Sequence, residues 1–114
     1  MDNCVFCRII NNEIPSPRVY ENNDAIVIRD LNPQAPVHLL AITREHYSGV
    51  HEVPATDDAL FKGLFSAITK AVEKENLAGS GYRLVVNSGE KAGQTVPHIH
   101  VHILSGRPLQ WPPG

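Results

Sequence analysis

Three histidines alternate with apolar residues near the end of the chain, in the run His-Ile-His-Val-His-Ile-Leu at residues 98–104. On a β-strand, alternate side chains point to the same face. We therefore expect the imidazoles of His98, His100 and His102 to line one face, while the apolar residues between them pack into a core. A row of three imidazoles suits a core poorly, so this pattern favours a chemical role.

Two kinds of chemistry fit such a row of imidazoles. Alternate residues lie about 6.5 to 7 Å apart along a strand, and zinc binds imidazole nitrogen at about 2.0 Å. One ion therefore cannot easily take all three rings from a straight strand, although two neighbouring rings could share one. Alternatively, a neutral imidazole is a nucleophile near pH 7, and its neighbours can orient it or stabilise developing negative charge. A solvated, histidine-rich surface is the third possibility.

A second cluster of reactive groups is the pair Cys4 and Cys7, which lies in a stretch that we predict to be helical. Positions three apart share one face of a helix, as in many half-sites for zinc. Two more ligands would be needed to complete such a site. Two buried free thiols and a redox pair are the alternatives.

The elements that must position these residues follow from periodicity and turn signals. A main helix is predicted over residues 57–75, with Thr56 as its cap, a single apolar face, and Gly79 and Gly81 as its stop. A short helix is predicted over 4–10, with Asp2 or Asn3 as its cap. Strands are predicted over 18–21, 25–30, 37–43, 82–87 and 97–104. This order predicts one α+β domain over residues 1–114, built on an antiparallel sheet.

The composition limits the possible partners. The chain has 114 residues, 42% of them hydrophobic and 19% charged, with a formal net charge of −2. This balance predicts a folded chain with no general attraction to nucleic acid or to anionic membranes. The N-terminus does not resemble a signal peptide, and no apolar run is long enough for a membrane span. We expect a cytoplasmic protein without an organic cofactor.

The histidine run matches the signature of the histidine triad (HIT) family at every position. Flanking segments at residues 14–15, 30–36, 86–89, 93–95 and 106–114 resemble the Hint branch of that family. The resemblance implies a HIT-like α+β fold with an antiparallel sheet of about five strands, one main packing helix and a short N-terminal helix. It also implies a homodimer whose C-terminal tail reaches the partner's site.

The Hint branch resembles purine nucleoside phosphoramidases, which split the P–N bond between a nucleoside monophosphate and an amine. The resemblance implies that His100 attacks the α-phosphorus and carries the nucleotidyl group. His102 would bind the phosphate or leaving group, and His38 would orient the nucleophile. The implied catalytic set is His38, Thr95, His98, His100 and His102.

The resemblance also implies a set of nucleotide-binding residues. Asp30 would bond the ribose, and the phosphate would be held by Asn87, Gly93, Gln94 and Thr95, with loop N–H groups as donors. The wall of the purine site would be Val5, Phe6, Ile9, Ile28, Leu31 and Leu40. Hydrolysis of dinucleoside polyphosphates is the alternative activity, and a zinc-stabilised nucleotide-binding module with little turnover is the alternative class.

Some bacterial HIT proteins resemble this chain at its cysteines. By that resemblance, Cys4, Cys7, His46 and His98 would form a structural zinc site. Two departures from the best-known Hint proteins affect specificity: Thr95 stands in place of serine, and Pro97 in place of an aromatic residue. Rates and substrate range therefore do not transfer directly to this chain.

Overall fold

The computed structural model describes residues 3–114. The helices are α1 (Val5–Ile10) and α2 (Asp58–Lys74), and short 3₁₀ turns occur at Val50–Glu52 and Glu90–Ala92. The strands are β1 (Arg18–Glu21), β2 (Ala25–Arg29), β3 (Val37–Thr43), β4 (Tyr82–Val85) and β5 (His100–Ser105). Within the described residues, the helices are all too short or too polar to cross a membrane.

The five strands form one antiparallel sheet in the order β1-β2-β3-β5-β4. The histidine-bearing strand β5 therefore lies inside the sheet, between β3 and β4. Each of its residues from His100 to Ser105 is paired with β3. The predicted α+β fold, with a five-stranded antiparallel sheet, one main helix and a short N-terminal helix, is confirmed.

The two faces of the sheet have different partners. One face packs against α2, with Val27, Leu39, Val101 and Ile103 among the residues of that core. The opposite face packs against α1 through a smaller cluster formed by Cys4, Phe6, Ile9, Ile26, Ile28, Leu40 and Ile42. His100 and His102 alternate with the core residues of β5, so they share the face on which α1 lies.

Helix α2 differs from its prediction at both ends. Its cap is Asp57, whose side chain accepts a hydrogen bond from the Leu60 N–H, and not Thr56. It ends at Lys74, before the glycines that were expected to stop it. Asn76 adopts a left-handed conformation (φ 56°), and the N–H of the next residue, buried Leu77, donates to the Val72 carbonyl. This arrangement ends a helix without glycine.

Helix α1 is capped by one of its own cysteines. The Cys4 sulfur accepts a hydrogen bond from the Cys7 N–H at 3.4 Å. Asn3 is therefore not the cap, and the other residue predicted for that role, Asp2, lies outside the described residues. The capping bond holds the Cys4 sulfur at the N-terminal end of the helix.

Strand β5 begins three residues later than predicted. Pro97 has no N–H to give to a ladder, and the His98 N–H donates to the Val96 carbonyl in a tight turn. The Ile99 N–H donates to the Tyr47 carbonyl, outside the sheet. His98 therefore precedes the strand that carries the other two histidines. Strands β2 and β4 also end earlier than predicted, before Asp30 and Val86.

Candidate active site and metal cluster

The side chain of His100 is buried, with 5% of the residue exposed. Its Nδ1 lies 2.7 Å from the His98 carbonyl oxygen. A carbonyl only accepts, so Nδ1 carries the proton and the neutral ring keeps a lone pair on Nε2. The Phe6 ring packs edge-on against it, with 4.9 Å between ring centres. These contacts fix the orientation of a ring whose free nitrogen is suited to nucleophilic attack.

His102 is oriented by a chain of hydrogen bonds that begins at the backbone. The Gln34 N–H donates to His38 Nδ1 at 3.0 Å, so the proton of a neutral His38 is on Nε2. That nitrogen lies 2.8 Å from His102 Nδ1 and 3.4 Å from Asp30 Oδ2. His102 Nδ1 therefore accepts, and the proton of a neutral His102 is on Nε2. His38 was expected to orient His100, but its hydrogen bond runs to His102.

Burial keeps these imidazoles neutral. It lowers the pKa of His100, with hydrogen bonding to the His98 carbonyl and the charge of Asp30 opposing that direction. It lowers the pKa of His102 to about 4, helped by the neighbouring His100 and His38. The pKa of His38 is lowered by burial as well, against the pull of Asp30. At pH 7 the site therefore offers a lone pair on His100 and an N–H hydrogen-bond donor on His102.

A cavity of about 310 Å³ opens beside these rings. Ten of the predicted site residues line it: Val5, Phe6, Ile9, Ile28, Asp30, Leu31, Leu40, Thr95, His100 and His102. Leu31 is fully exposed and lies at the rim. Most of the residues that line this cavity are apolar, and Asp30, Thr95, His100 and His102 add a carboxylate, a hydroxyl and two imidazoles. This combination suits a ligand that has both an apolar and a polar part.

The structure does not bring three predicted phosphate contacts to the lining of that cavity: Asn87, Gly93 and Gln94. The N–H groups of Gly93 and Gln94 donate within their own loop, to the carbonyls of Glu90 and Gly89. Within residues 3–114, the N–H groups of Thr95 and Val96 meet no hydrogen-bond acceptor. Of the loop N–H groups expected to bind phosphate, that of Thr95 is therefore left available, and the N–H of Val96 is a further one that was not predicted.

Sequence reasoning missed part of the cavity wall, which is formed by residues 14–17 and Val96. Arg18 holds this segment in place: its guanidinium donates to the Ser16 carbonyl at 2.8 Å and to the Ile9 carbonyl at 3.1 Å. This segment contains two prolines, Pro15 and Pro17. Their rigid backbone after an apolar helix was the available signal for a wall.

The four predicted metal ligands meet at the end of α1. The Cys4 sulfur lies 3.3 Å from His98 Nδ1, and the Cys7 sulfur lies 3.2 Å from His46 Nδ1 and 3.6 Å from His98 Nδ1. All four ligand atoms lie within 4.8 Å of one another. Around a tetrahedral zinc, sulfur and nitrogen ligands are separated by about 3.5 Å. The donor set and its spacing therefore fit a closed, four-coordinate metal site.

The ring of His98 is prepared to ligate through one nitrogen. Its Nε2 donates to the Thr43 carbonyl at 2.6 Å, so the lone pair is on Nδ1, which faces the thiols. Burial lowers the pKa of His98 to about 4. Burial, with the adjacent Cys4 thiol, raises the pKa of Cys7 to about 11. A bound cation would instead lower the pKa of the Cys7 thiol, because metal-bound cysteine is a thiolate.

A second cavity of about 560 Å³ adjoins the first. It lies on the other side of Thr95, and Val5, Thr95 and Val96 line both cavities. Its remaining lining comes from Asn3, Cys4, His46 and Pro97. Both positions at which the chain departs from the Hint pattern, Thr95 and Pro97, therefore line this second cavity.

Comparison with known proteins gives a consistent result. The model of the HIT domain matches residues 11–109. A HIT-like protein of Synechococcus elongatus is 42% identical over 113 residues, which cover 99% of this chain and 98% of the relative. The crystal structure of a HIT family hydrolase from Legionella pneumophila superposes with a TM-score of 0.92 at 42% identity, covering 98% of this chain and all of that one. A HIT family hydrolase from Clostridium thermocellum gives a TM-score of 0.91 at 43% identity, with 96% of each chain covered.

Proposed function

The chain belongs to the HIT domain family, and we propose that it cleaves purine nucleoside 5′-phosphoramidates, or related nucleotidyl conjugates, to the nucleoside monophosphate. The observation that carries this proposal is the state of His100. Its Nε2 lone pair is free on a ring that lines a largely apolar cavity containing a carboxylate. Solved relatives from Legionella and Clostridium are described as hydrolases, which supports the same class of reaction.

In the proposed reaction, His100 Nε2 attacks the α-phosphorus and the P–N bond to the leaving amine breaks. The amine departs with the electron pair of that bond while His102 Nε2–H donates a hydrogen bond to it, and it takes its proton from solvent water. Water then attacks the phosphorus of the nucleotidyl-histidine, loses its proton to solvent, and releases the monophosphate with His100 restored. The products are one amine and one nucleoside monophosphate per water consumed.

The cavity supplies recognition for each part of such a substrate. The Asp30 carboxylate would accept hydrogen bonds from the ribose hydroxyls, and the base would lie against Phe6 and Ile9. The Thr95 hydroxyl and the N–H groups of Thr95 and Val96 would stabilise negative charge on the phosphoryl oxygens. Purine preference follows from the area of this apolar wall, which a larger ring covers more fully.

Release of AMP from adenosine 5′-phosphoramidate tests the proposal. The wild type should release AMP, and intact-mass measurement after rapid quenching should detect an added nucleotidyl group. The His100→Asn variant should lose both signals while it keeps its affinity for AMP. A wild type that binds AMP but releases no product from phosphoramidates or dinucleotides would instead be a nucleotide-binding module.

Hydrolysis of dinucleoside polyphosphates is a second candidate, and the second cavity favours it. A space of about 560 Å³ beside Thr95 is large enough for a bulky leaving group, such as a second nucleotide. The two activities differ only in the leaving group. Comparing kcat/KM for adenosine phosphoramidate and for diadenosine polyphosphates separates them, because the favoured leaving group gives the higher value.

We also propose that the four-ligand cluster binds a structural zinc ion. A closed site with four protein ligands has no open position for substrate, and it stabilises the fold that brings the ligands together. Elemental analysis should find about one zinc per chain in the wild type, and Cys4→Ser should reduce it strongly. Zinc-free wild-type protein, with a content unchanged by Cys4→Ser, would contradict this proposal.

A homodimer is the proposed assembly. Strand β4 is at an open edge of the sheet, and a groove of about 450 Å³ beside it is lined by Val50, Phe61, Leu64, Phe65, Val86, Ser88 and Val101. Phe65 and Val86 are largely exposed, as is Trp111 of the C-terminal tail. Light scattering should give the mass of a dimer, and Val86→Asp should shift it to the monomer. A monomeric wild type would refute this assembly.

A further inference from the structure

The metal cluster and the reacting groups share backbone. His98 presents its ring Nδ1 to the two thiols, and its carbonyl oxygen accepts the hydrogen bond that orients the ring of His100. The other histidine of the cluster, His46, begins a three-residue stretch, residues 46–48, which we call the linking segment. Holding the four side chains of the cluster in place therefore also restrains the backbone at His46 and at His98.

The linking segment receives two hydrogen bonds from the site. The Ile99 N–H donates to the Tyr47 carbonyl at 2.8 Å. The Gln94 side-chain amide donates to the Ser48 carbonyl at 2.6 Å. The first bond holds the residue between His98 and His100, and the second holds the loop that precedes Thr95.

Gln94 also braces its own loop. Its side-chain oxygen accepts a hydrogen bond from the Gly89 N–H at 2.9 Å, and its backbone N–H donates to the Gly89 carbonyl at 3.1 Å. Both ends of its amide are therefore occupied by backbone, one inside the loop and one on the linking segment. These contacts fix the orientation of the Gln94 side chain between the loop and the linking segment.

We propose that Gln94 is a positioning residue that connects the metal cluster to the phosphate-binding side of the active site. Metal held by His46 fixes the linking segment, and the linking segment fixes the loop through Gln94. Thr95 and the N–H groups of Thr95 and Val96 are thereby held beside His100. The part that concerns phosphate rests on the proposed function, whereas the mechanical connection does not.

Amide hydrogen exchange on metal-loaded and chelator-stripped protein tests the connection without any nucleotide. Removing the metal should speed exchange at Gly89 and Ile99 by at least about tenfold, because their acceptors are Gln94 and Tyr47. The amide of Ala67, inside α2, should change less than about twofold. Unchanged exchange at Gly89 and Ile99 would overturn the proposal. So would equal acceleration in α2, since the metal would then act on the whole fold.

Substitution of Gln94 in the metal-loaded protein tests the positioning role. Gln94→Glu keeps an acceptor for the Gly89 N–H but places a carboxylate against the Ser48 carbonyl, and Gln94→Met removes both bonds without adding charge. Each should weaken AMP binding about tenfold, the effect of about 1.4 kcal/mol, which lies within the range for a lost hydrogen bond. Adenosine affinity should stay within about twofold, because the base and ribose contacts are elsewhere.

Two results separate failure of this inference from failure of the proposed function. Suppose that the wild type binds AMP more tightly than adenosine. If the Gln94 variants then lose equal affinity for AMP and adenosine, or lose none for AMP, the positioning role is refuted. A wild type that binds AMP no better than adenosine would refute the proposed phosphate site. In that case, the exchange measurement still decides whether the cluster and the loop are connected.

Discussion

Replacement of His38 should displace the N–H that His102 offers to the leaving group, and it should leave the proposed nucleophile, His100, unchanged. His38 accepts from the Gln34 N–H on one nitrogen and contacts His102 Nδ1 with the other, at 2.8 Å. It therefore selects the form of His102 whose proton is on Nε2. The variant His38→Leu removes this selection, whereas His38→Gln keeps a side-chain N–H near the position of His38 Nε2.

The size of the effect follows from the hydrogen bond that is lost. Leaving a buried acceptor without its donor costs about 1 to 3 kcal/mol. At about 1.36 kcal/mol for each factor of ten, this lowers the rate about 5- to 160-fold. The hydrogen bond from His100 Nδ1 to the His98 carbonyl is untouched by the substitution, so attack on phosphorus should be preserved.

The assay compares two leaving groups on the same nucleotide. A basic alkylamine needs a proton to depart, whereas an acidic phenol departs without one. His38→Leu should therefore lower kcat/KM for the alkyl phosphoramidate by the factor above and for the aryl ester by less than about threefold. The Gln variant should recover part of the loss. Equal losses on the two substrates, or no recovery in His38→Gln relative to His38→Leu, would refute the assignment of the proton to His102 Nε2.

Three further outcomes are expected. Burial lowers the pKa of His102 to about 4, whereas an unfolded imidazole titrates near 6.5. Between these two values the unfolded state binds more protons, so the free energy of unfolding should fall as pH drops from about 6.5 to 4. Urea titrations at pH 7 and 5 measure this fall. The variant His102→Gln should show a shallower fall in the free energy of unfolding. Asp30→Asn should weaken AMP binding about tenfold or more and leave 2′,3′-dideoxy-AMP unaffected, by calorimetry. A Cβ at Gly63 would clash with the Asp24 side chain. Gly63→Ala should therefore lower the free energy of unfolding by about 1 to 3 kcal/mol in urea denaturation, although alanine has the better helix propensity. Adding Asp24→Gly should relieve that cost.

The parts of the fold that sequence predicts well are those with a strong local period. Helix α2 has an apolar stripe over 17 residues, and the alternation in β5 assigns its faces without ambiguity. In each of these cases the signal is carried by neighbouring residues in the chain.

The features that sequence missed depend on contacts between distant segments. The cap by Cys4 and the position of His98 before the late start of β5 depend on contacts of His98 with α1 and with the Thr43 carbonyl. The partner of His38 depends on the register of β3 against β5, which pairs Leu40 with His102. The brace formed by Gln94 spans 46 residues to Ser48. No local pattern contains that information.

Strand β5 places Val101 and Ile103 in the core under α2, and it places His100 and His102 at the cavity on the opposite face. A single inserted or deleted residue between His100 and Ile103 would exchange the two sets, sending an imidazole under α2 and an isoleucine into the cleft. Because β5 is paired on both sides, it has no free edge along which to slip and absorb the error. This strand should therefore tolerate point changes at its apolar positions far better than any change in its length.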